Sequence, residues 1–274
     1  MNAEASKHEL EQLLTWYVES GADEAIGDAP VDRIKLPRSN SASAPTVRPT
    51  TGESAPRKTG MILPLESTDE TAASALAIAN TCSDLSSLRT ALDAFNGCAL
   101  KKTATQLVFS DGSPDAEVML VGEAPGGDED RVGRPFVGPA GQLLDLMLSA
   151  IGLDRTRVYI TNIVPWRPPG NRNPSANEVA ICLPFLHRHI ELVNPRILVL
   201  VGGVPASALL GVKQGITKMR GRWHIYRGNP NAQDGTEIPT MPIFHTAYLL
   251  RSPAKKKEAW RDLLEIKRRL EESG

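Results

Sequence analysis

Residues 119–142 read MLVGEAPGGDEDRVGRPFVGPAGQ, an apolar strand that runs into a loop rich in Gly and Pro, with Glu123 at its mouth and Phe136 farther on. Glycine lets a ligand approach the main chain and leaves N–H groups exposed as donors, so a buried strand that ends in glycines builds a pocket floor. Two further apolar runs, VYITNIV at 158–164 and ILVLVG at 197–202, share the continuous hydrophobic character of strands covered on both faces by helices. Strands are predicted over 117–122, 157–163, 196–201 and 241–245, and helices over 70–94, 140–151, 175–193, 204–210 and 254–271. This alternation predicts an α/β fold with three α/β/α layers around a central, mostly parallel four-stranded sheet. GRWHIYRG at 221–228 reads as a hairpin edge beside that sheet.

Upstream of the α/β pattern the composition changes twice. Residues 1–36 include HELEQLLTWYVESGADEAI, whose apolar spacing predicts a short amphipathic helix stopped near Gly21. Residues 37–67 are dominated by Ser, Thr, Ala and Pro, which bury too little apolar surface to offset ordering entropy, and read as a flexible, disordered tether. The α/β/α domain is assigned to 68–274.

The whole chain has a formal net charge of −1 and 41% hydrophobic residues, which supports a real core and gives no overall signal for a polyanionic partner. The average conceals a basic stretch: between His245 and Leu270, eight Lys or Arg stand against three acids. No apolar run approaches the roughly 20 residues that span a bilayer, and MNAEASKHELEQ lacks a secretory pattern, so a cytoplasmic protein with no membrane partner is expected. Cys82, Cys98 and Cys182 are too few and too scattered for a disulfide framework.

In doubly wound sheets ligands bind beyond the carboxyl ends of the strands. Glu123, Asn162 and His245 stand at three such ends. Each alone reads as a turn former or helix cap, but together they point to one site. His187 and His189 lie two residues apart on a helix, which puts their imidazoles on different faces, and are assigned surface or capping roles.

The segments GEAPGGDED (122–130), GRPFVGPAGQLLD (133–145), YITNIVPWRPPGNRNP (159–174) and HTAYLLR (245–251) resemble, in order, the motifs of the family 4 uracil-DNA glycosylases, and the likeness spans about 92–272. The resemblance implies a DNA repair enzyme that flips uracil out of the duplex and hydrolyses its glycosidic bond, stabilising an oxocarbenium-like sugar and a uracil anion. It implies that His245 bonds the uracil O2 region, that Asn162 reads the amide edge, and that Phe136 stacks on the flipped ring. Glu123 and Glu129 match the family's acidic positions, which place the water, hold the base or favour the cationic sugar. Ala124 stands where other glycosylase classes carry an aspartate, while Gly122 and Gly126 shape the base site. Leu249 or Leu250 would wedge into the gap left by the base; Arg251, Lys255, Arg167, Asn171 and Arg172 would contact DNA. A monomer acting on uracil-containing DNA is expected, with residues 1–60 available to a repair partner.

The chain departs from the family pattern in two ways. Family 4 members hold a four-iron cluster with four cysteines, and the corresponding residues here are Phe95, Cys98, Trp166 and Cys182. This pattern predicts an enzyme with no metal or other cofactor, its loop anchored by aromatic packing. Thr246 replaces a Pro that commonly follows the histidine, and is expected to loosen the wedge loop or add a phosphate contact. Two rivals stand beside the glycosylase reading: a non-catalytic reader of uracil or damaged DNA that recruits a partner, and a nucleotide-binding protein, which lacks both a Walker lysine and GxGxxG after the first strand.

Overall fold

The computed structural model describes residues 67–228 and 237–272. The predicted N-terminal helix and nearly all of the tether lie outside the described residues.

Six strands form one sheet in the order β1-β3-β2-β4-β6-β5. The four predicted strands are its parallel centre: β2 (Val118–Gly122), β3 (Val158–Asn162), β4 (Ile197–Val201) and β6 (Ile238–Ile243). Short antiparallel strands extend both edges, β1 (Asp111–Gly112) against β3 and β5 (His224–Tyr226) against β6, so the sheet is two strands wider than expected. β5 is the edge predicted from GRWHIYRG.

Alternate residues of the central strands feed two separate cores, which is why their sequences read as unbroken apolar runs. Met119, Val121, Tyr159, Leu198 and Leu200 pack on one face beneath α1 (Thr68–Thr81), α2 (Leu85–Ala94), α5 (Ala176–Val193) and α6 (Gly203–Leu210). Val118, Leu120, Val158, Ile160 and Val199 pack on the other beneath α4 (Pro139–Ser149) and α9 (Lys256–Glu272). The three-layer α/β/α architecture is therefore present.

The helix expected over 70–94 is broken at Cys82–Asp84. There the Asp84 carboxylate accepts the Ser87 N–H at 2.7 Å and Ser87 Oγ accepts the Asp84 N–H, a reciprocal cap that starts α2 afresh. Three short helices were not expected: α3 (Gly127–Val132), α7 (Ile216–Met219) and α8 (Thr246–Arg251). Among the described residues no helix is long and apolar enough to cross a membrane.

His187 and His189 are not on the surface. His189 bonds Tyr159 Oη at 2.7 Å and stacks on Phe109, while His187 bonds Tyr226 Oη at 2.6 Å. Burial pushes the two imidazoles down to about 4 for His187 and about 3 for His189, so both are neutral core groups. The opposite-face argument was sound, but both faces of α5 are covered at this level.

Candidate active site

The carboxyl ends of β2, β3 and β6 converge on a cleft of about 490 Å³ lined by Glu123, Ala124, Gly126, Glu129, Phe136, Asn162, His245, Tyr248 and Arg251, among others. Three ends of the parallel sheet thus bring Glu123, Asn162 and His245 into one space, as the strand-end rule requires.

His245 follows β6 and caps α8. Its Nδ1 accepts the Ala247 N–H at 3.1 Å, which fixes the neutral tautomer that carries its proton on Nε2. Burial, and then the charge of Arg251, holds the imidazole down at about 4, against a smaller upward pull from Glu129. The Nε2–H is therefore a neutral donor. Phe136 lies alongside, its ring 5.8 Å from the imidazole and 27° from parallel.

Asn162 closes β3 and is buried, yet its carboxamide makes no hydrogen bond to the described residues. A buried amide without protein partners keeps both donor and acceptor for a ligand. Gly122, paired with Asn162 across the sheet, has no room for a side chain. A Cβ there would sit 2.3 Å from Asn162 Oδ1 and 2.6 Å from the Phe136 ring. Glu123, next in sequence, has a half-buried carboxyl pushed upward by desolvation.

Glu129 lines the cleft and also ties its rim together. Its carboxylate accepts the N–H groups of Gly126 (3.0 Å), Val137 (2.9 Å) and Gly138 (2.9 Å), tying α3 to the loop that carries Phe136. The GRPFVGPAG segment is thus pinned by an acid eight residues upstream.

The DNA-facing candidates also divide. Leu249 is fully buried against Phe244 and Ala259 and has no access to a duplex, whereas Leu250 is 43% exposed. Thr246–Arg251 form a helix capped by His245 rather than a loop, and helical phase turns these neighbours about 100° apart, one into the core and one to solvent. Leu249→Ala is expected to cost about 2–5 kcal/mol of stability as a buried cavity mutation. Leu250→Ala should leave the denaturation midpoint near wild type and slow excision from duplex more than from single strands. Equal melting of the two variants would contradict the assignment.

Arg251 opens onto the cleft with no ion pair among the described residues, and Arg167 is oriented by Asn171 Oδ1 at 2.8 Å. Arg172 is held by both oxygens of Glu178 at 2.7 and 2.9 Å, and Lys255 by Glu258 at 2.6 Å, so these two cations are partly committed within the protein.

Thr246 is fully buried, which rules out the anticipated phosphate contact, and among the described residues its hydroxyl has no hydrogen-bond partner. Leaving such a group unsatisfied costs about 1–3 kcal/mol. Thr246→Val should therefore raise stability by about 1 kcal/mol or more in a denaturant titration; a lower midpoint would show that the hydroxyl is satisfied in solution.

The Uracil DNA glycosylase superfamily model matches residues 109–264, which contain this whole cleft. The chain belongs to the uracil-DNA glycosylase superfamily. It is 40% identical over 176 residues to the type-4 uracil-DNA glycosylase of Sulfurisphaera tokodaii, covering 62% of this chain and 77% of that protein. Against the type-4 enzyme of Pyrobaculum aerophilum the identity is 38% over 182 residues, 66% of this chain and 91% of the relative. Against that of Thermotoga maritima it is 42% over 156 residues, 57% of this chain and 77% of the relative.

These type-4 relatives overturn the expectation of a cofactor-free enzyme, because the four-iron cluster belongs to the glycosylase class they represent. Cofactor independence is accordingly not assigned to this glycosylase. Cys98 and Cys182 are the residues that would hold iron. They are buried together in one core, where a hydrogen bond between the thiols draws Cys98 down and pushes Cys182 up. The other two ligand positions, Phe95 and Trp166, are buried aromatics in the same core and offer no donor. Two of the four aligned positions carry a thiol, so these positions by themselves do not make a four-cysteine set.

Proposed function

We propose that this protein is a monofunctional uracil-DNA glycosylase. It hydrolyses the N-glycosidic bond of deoxyuridine in DNA and leaves an abasic site for base excision repair. The observation that carries the reading is the meeting, in one strand-end cleft, of a neutral imidazole donor, a carboxamide with no partner among the described residues and an aromatic face. Family membership supports the same conclusion.

In this mechanism the flipped uracil lies against Phe136 while the Asn162 amide donates to O4 and accepts from N3–H. As the C1′–N1 bond breaks, its electron pair leaves with the base, and negative charge grows on the uracil oxygens. The Nε2–H of His245 meets that charge without a competing proton transfer, because the imidazole is already neutral. A water oxygen then bonds C1′, and its proton is lost. Glu123 is the carboxyl placed to receive that proton or to face the cationic sugar. Among the described residues that line the cleft there is no lysine, which fits hydrolysis rather than a Schiff-base lyase.

Leu250 is the side chain assigned to the space left in the duplex, and Arg251, Arg167 and the exposed Lys256 and Lys257 are assigned to phosphates. The protein is taken to act as a monomer, with residues 1–60 serving a repair partner. The test incubates the protein with single- and double-stranded uracil-containing oligonucleotides and then applies alkali. Strand breakage at uracil is the expected result. Binding without breakage would favour a non-catalytic reader instead.

A further inference from the structure

Phe136 has a backbone that needs explanation. Its φ is +54°, in the left-handed region that a bulky residue rarely enters, and strain of that kind persists only where the surroundings over-determine it. The ring borne on this backbone is the face assigned to the flipped base.

Arg155, 19 residues away and outside every motif of the sequence, is what holds it. One arm of its guanidinium donates to the Phe136 carbonyl, and the other donates to the Pro135 carbonyl at 3.1 Å and to Asp111. Its Nε donates to Asp145 at 2.9 Å, which anchors the group to α4. From the opposite side Glu129 accepts the N–H groups of Val137 and Gly138. The Phe136–Val137 peptide is therefore gripped at both ends, its oxygen by a cation and its N–H by an anion. Charged partners make the stronger class of hydrogen bond, and two converging on one peptide fix its plane. At Gly141 a Cβ would lie 1.7 Å from the Phe136 oxygen, so that side is closed as well.

We propose that Arg155 is a positioning residue for uracil excision: it holds the Phe136 peptide in its left-handed conformation and so sets the base-stacking face against His245. The proposal rests on the reading of Phe136 as that face. A lysine keeps the charge but cannot reproduce a planar fork that reaches two carbonyls and two carboxylates together.

The test compares wild type with Arg155→Lys and, independently, with Gly141→Ala, which presses on the same carbonyl without touching Arg155. Three quantities are measured: the inhibition constant of free uracil, the single-turnover excision rate, and the affinity for a duplex bearing a tetrahydrofuran abasic analogue, which has no base to stack. Misplacement of a positioned group by about 1 Å costs up to about 10²-fold, so uracil affinity and excision rate should both fall by about ten-fold or more in a variant that melts cooperatively. Abasic-duplex affinity should stay within about twofold, because that ligand does not use the ring. Wild-type uracil affinity in either folded variant, or a parallel loss of abasic binding, would overturn the proposal. Should Gly141→Ala fail to melt cooperatively, Arg155→Lys decides alone; should Arg155→Lys fail, Arg155 is a structural hub and the positioning role is lost. Inactive wild-type protein would instead defeat the glycosylase reading itself.

Discussion

His245→Ala is expected to lower the single-turnover rate of uracil excision by about 10²–10³-fold, the loss typical of removing one preorganised donor from a developing anion. The effect should fall on the chemical step, with affinity for an abasic duplex little changed. The reason lies in the geometry of the cap. Nδ1 is occupied by the Ala247 N–H, so the ring can turn only Nε2–H towards the base, and burial keeps the ring neutral. The pH dependence follows from the sign of that shift. A folded value of about 4, below the ordinary 6.5, means that His245 stays neutral through 6.5, where a free imidazole is half protonated, and gains its proton only as the pH falls through about 4. Protonation there also breaks the cap, because Nδ1–H can no longer accept from Ala247. Arg251 contributes to the depression, so Arg251→Gln should move the titration upward. An acid limb near 6.5 in wild type that vanishes in His245→Ala would contradict this description.

Asn162 gives the second large effect. Asn162→Ala removes both contacts to the amide edge, whereas Asn162→Asp replaces the donor with a negative charge facing a base that is itself becoming an anion. Both variants should lose at least about 10²-fold in excision rate, and the aspartate should be the slower of the two. If Asp were as active as Asn, or more active than Ala, the carboxamide would not be reading O4.

Much of this site was legible because sheet topology is written in local patterns. The apolar runs 118–122, 158–162 and 197–201 had to be buried strands, and burial of both faces required a parallel sheet with helices above and below. From there the strand-end rule brought Glu123, Asn162 and His245 together without reference to any contact. The errors came where tertiary partners decide. The three main-chain donors that Glu129 holds could not be read from its motif, since Val137 and Gly138 meet it only in the folded loop. Leu249 and Leu250 were indistinguishable while HTAYLLR was read as a loop; once it is a helix, phase separates them. The histidines of α5 were given surface or capping roles because their spacing puts them on different faces, whereas Tyr159 and Tyr226 approach from both sides. Arg155 left no local trace, since its role depends on Asp111, Asp145 and Phe136 meeting in space.

The most direct measurement is the imidazole state of His245 in the free enzyme, read from ¹⁵N-labelled protein through the long-range correlations of its ring nitrogens across a pH titration. The structure predicts a neutral ring protonated on Nε2, with a midpoint near 4. A ring protonated on Nδ1, or one that titrates near 6.5, would show that the donor assigned to the departing uracil is not there.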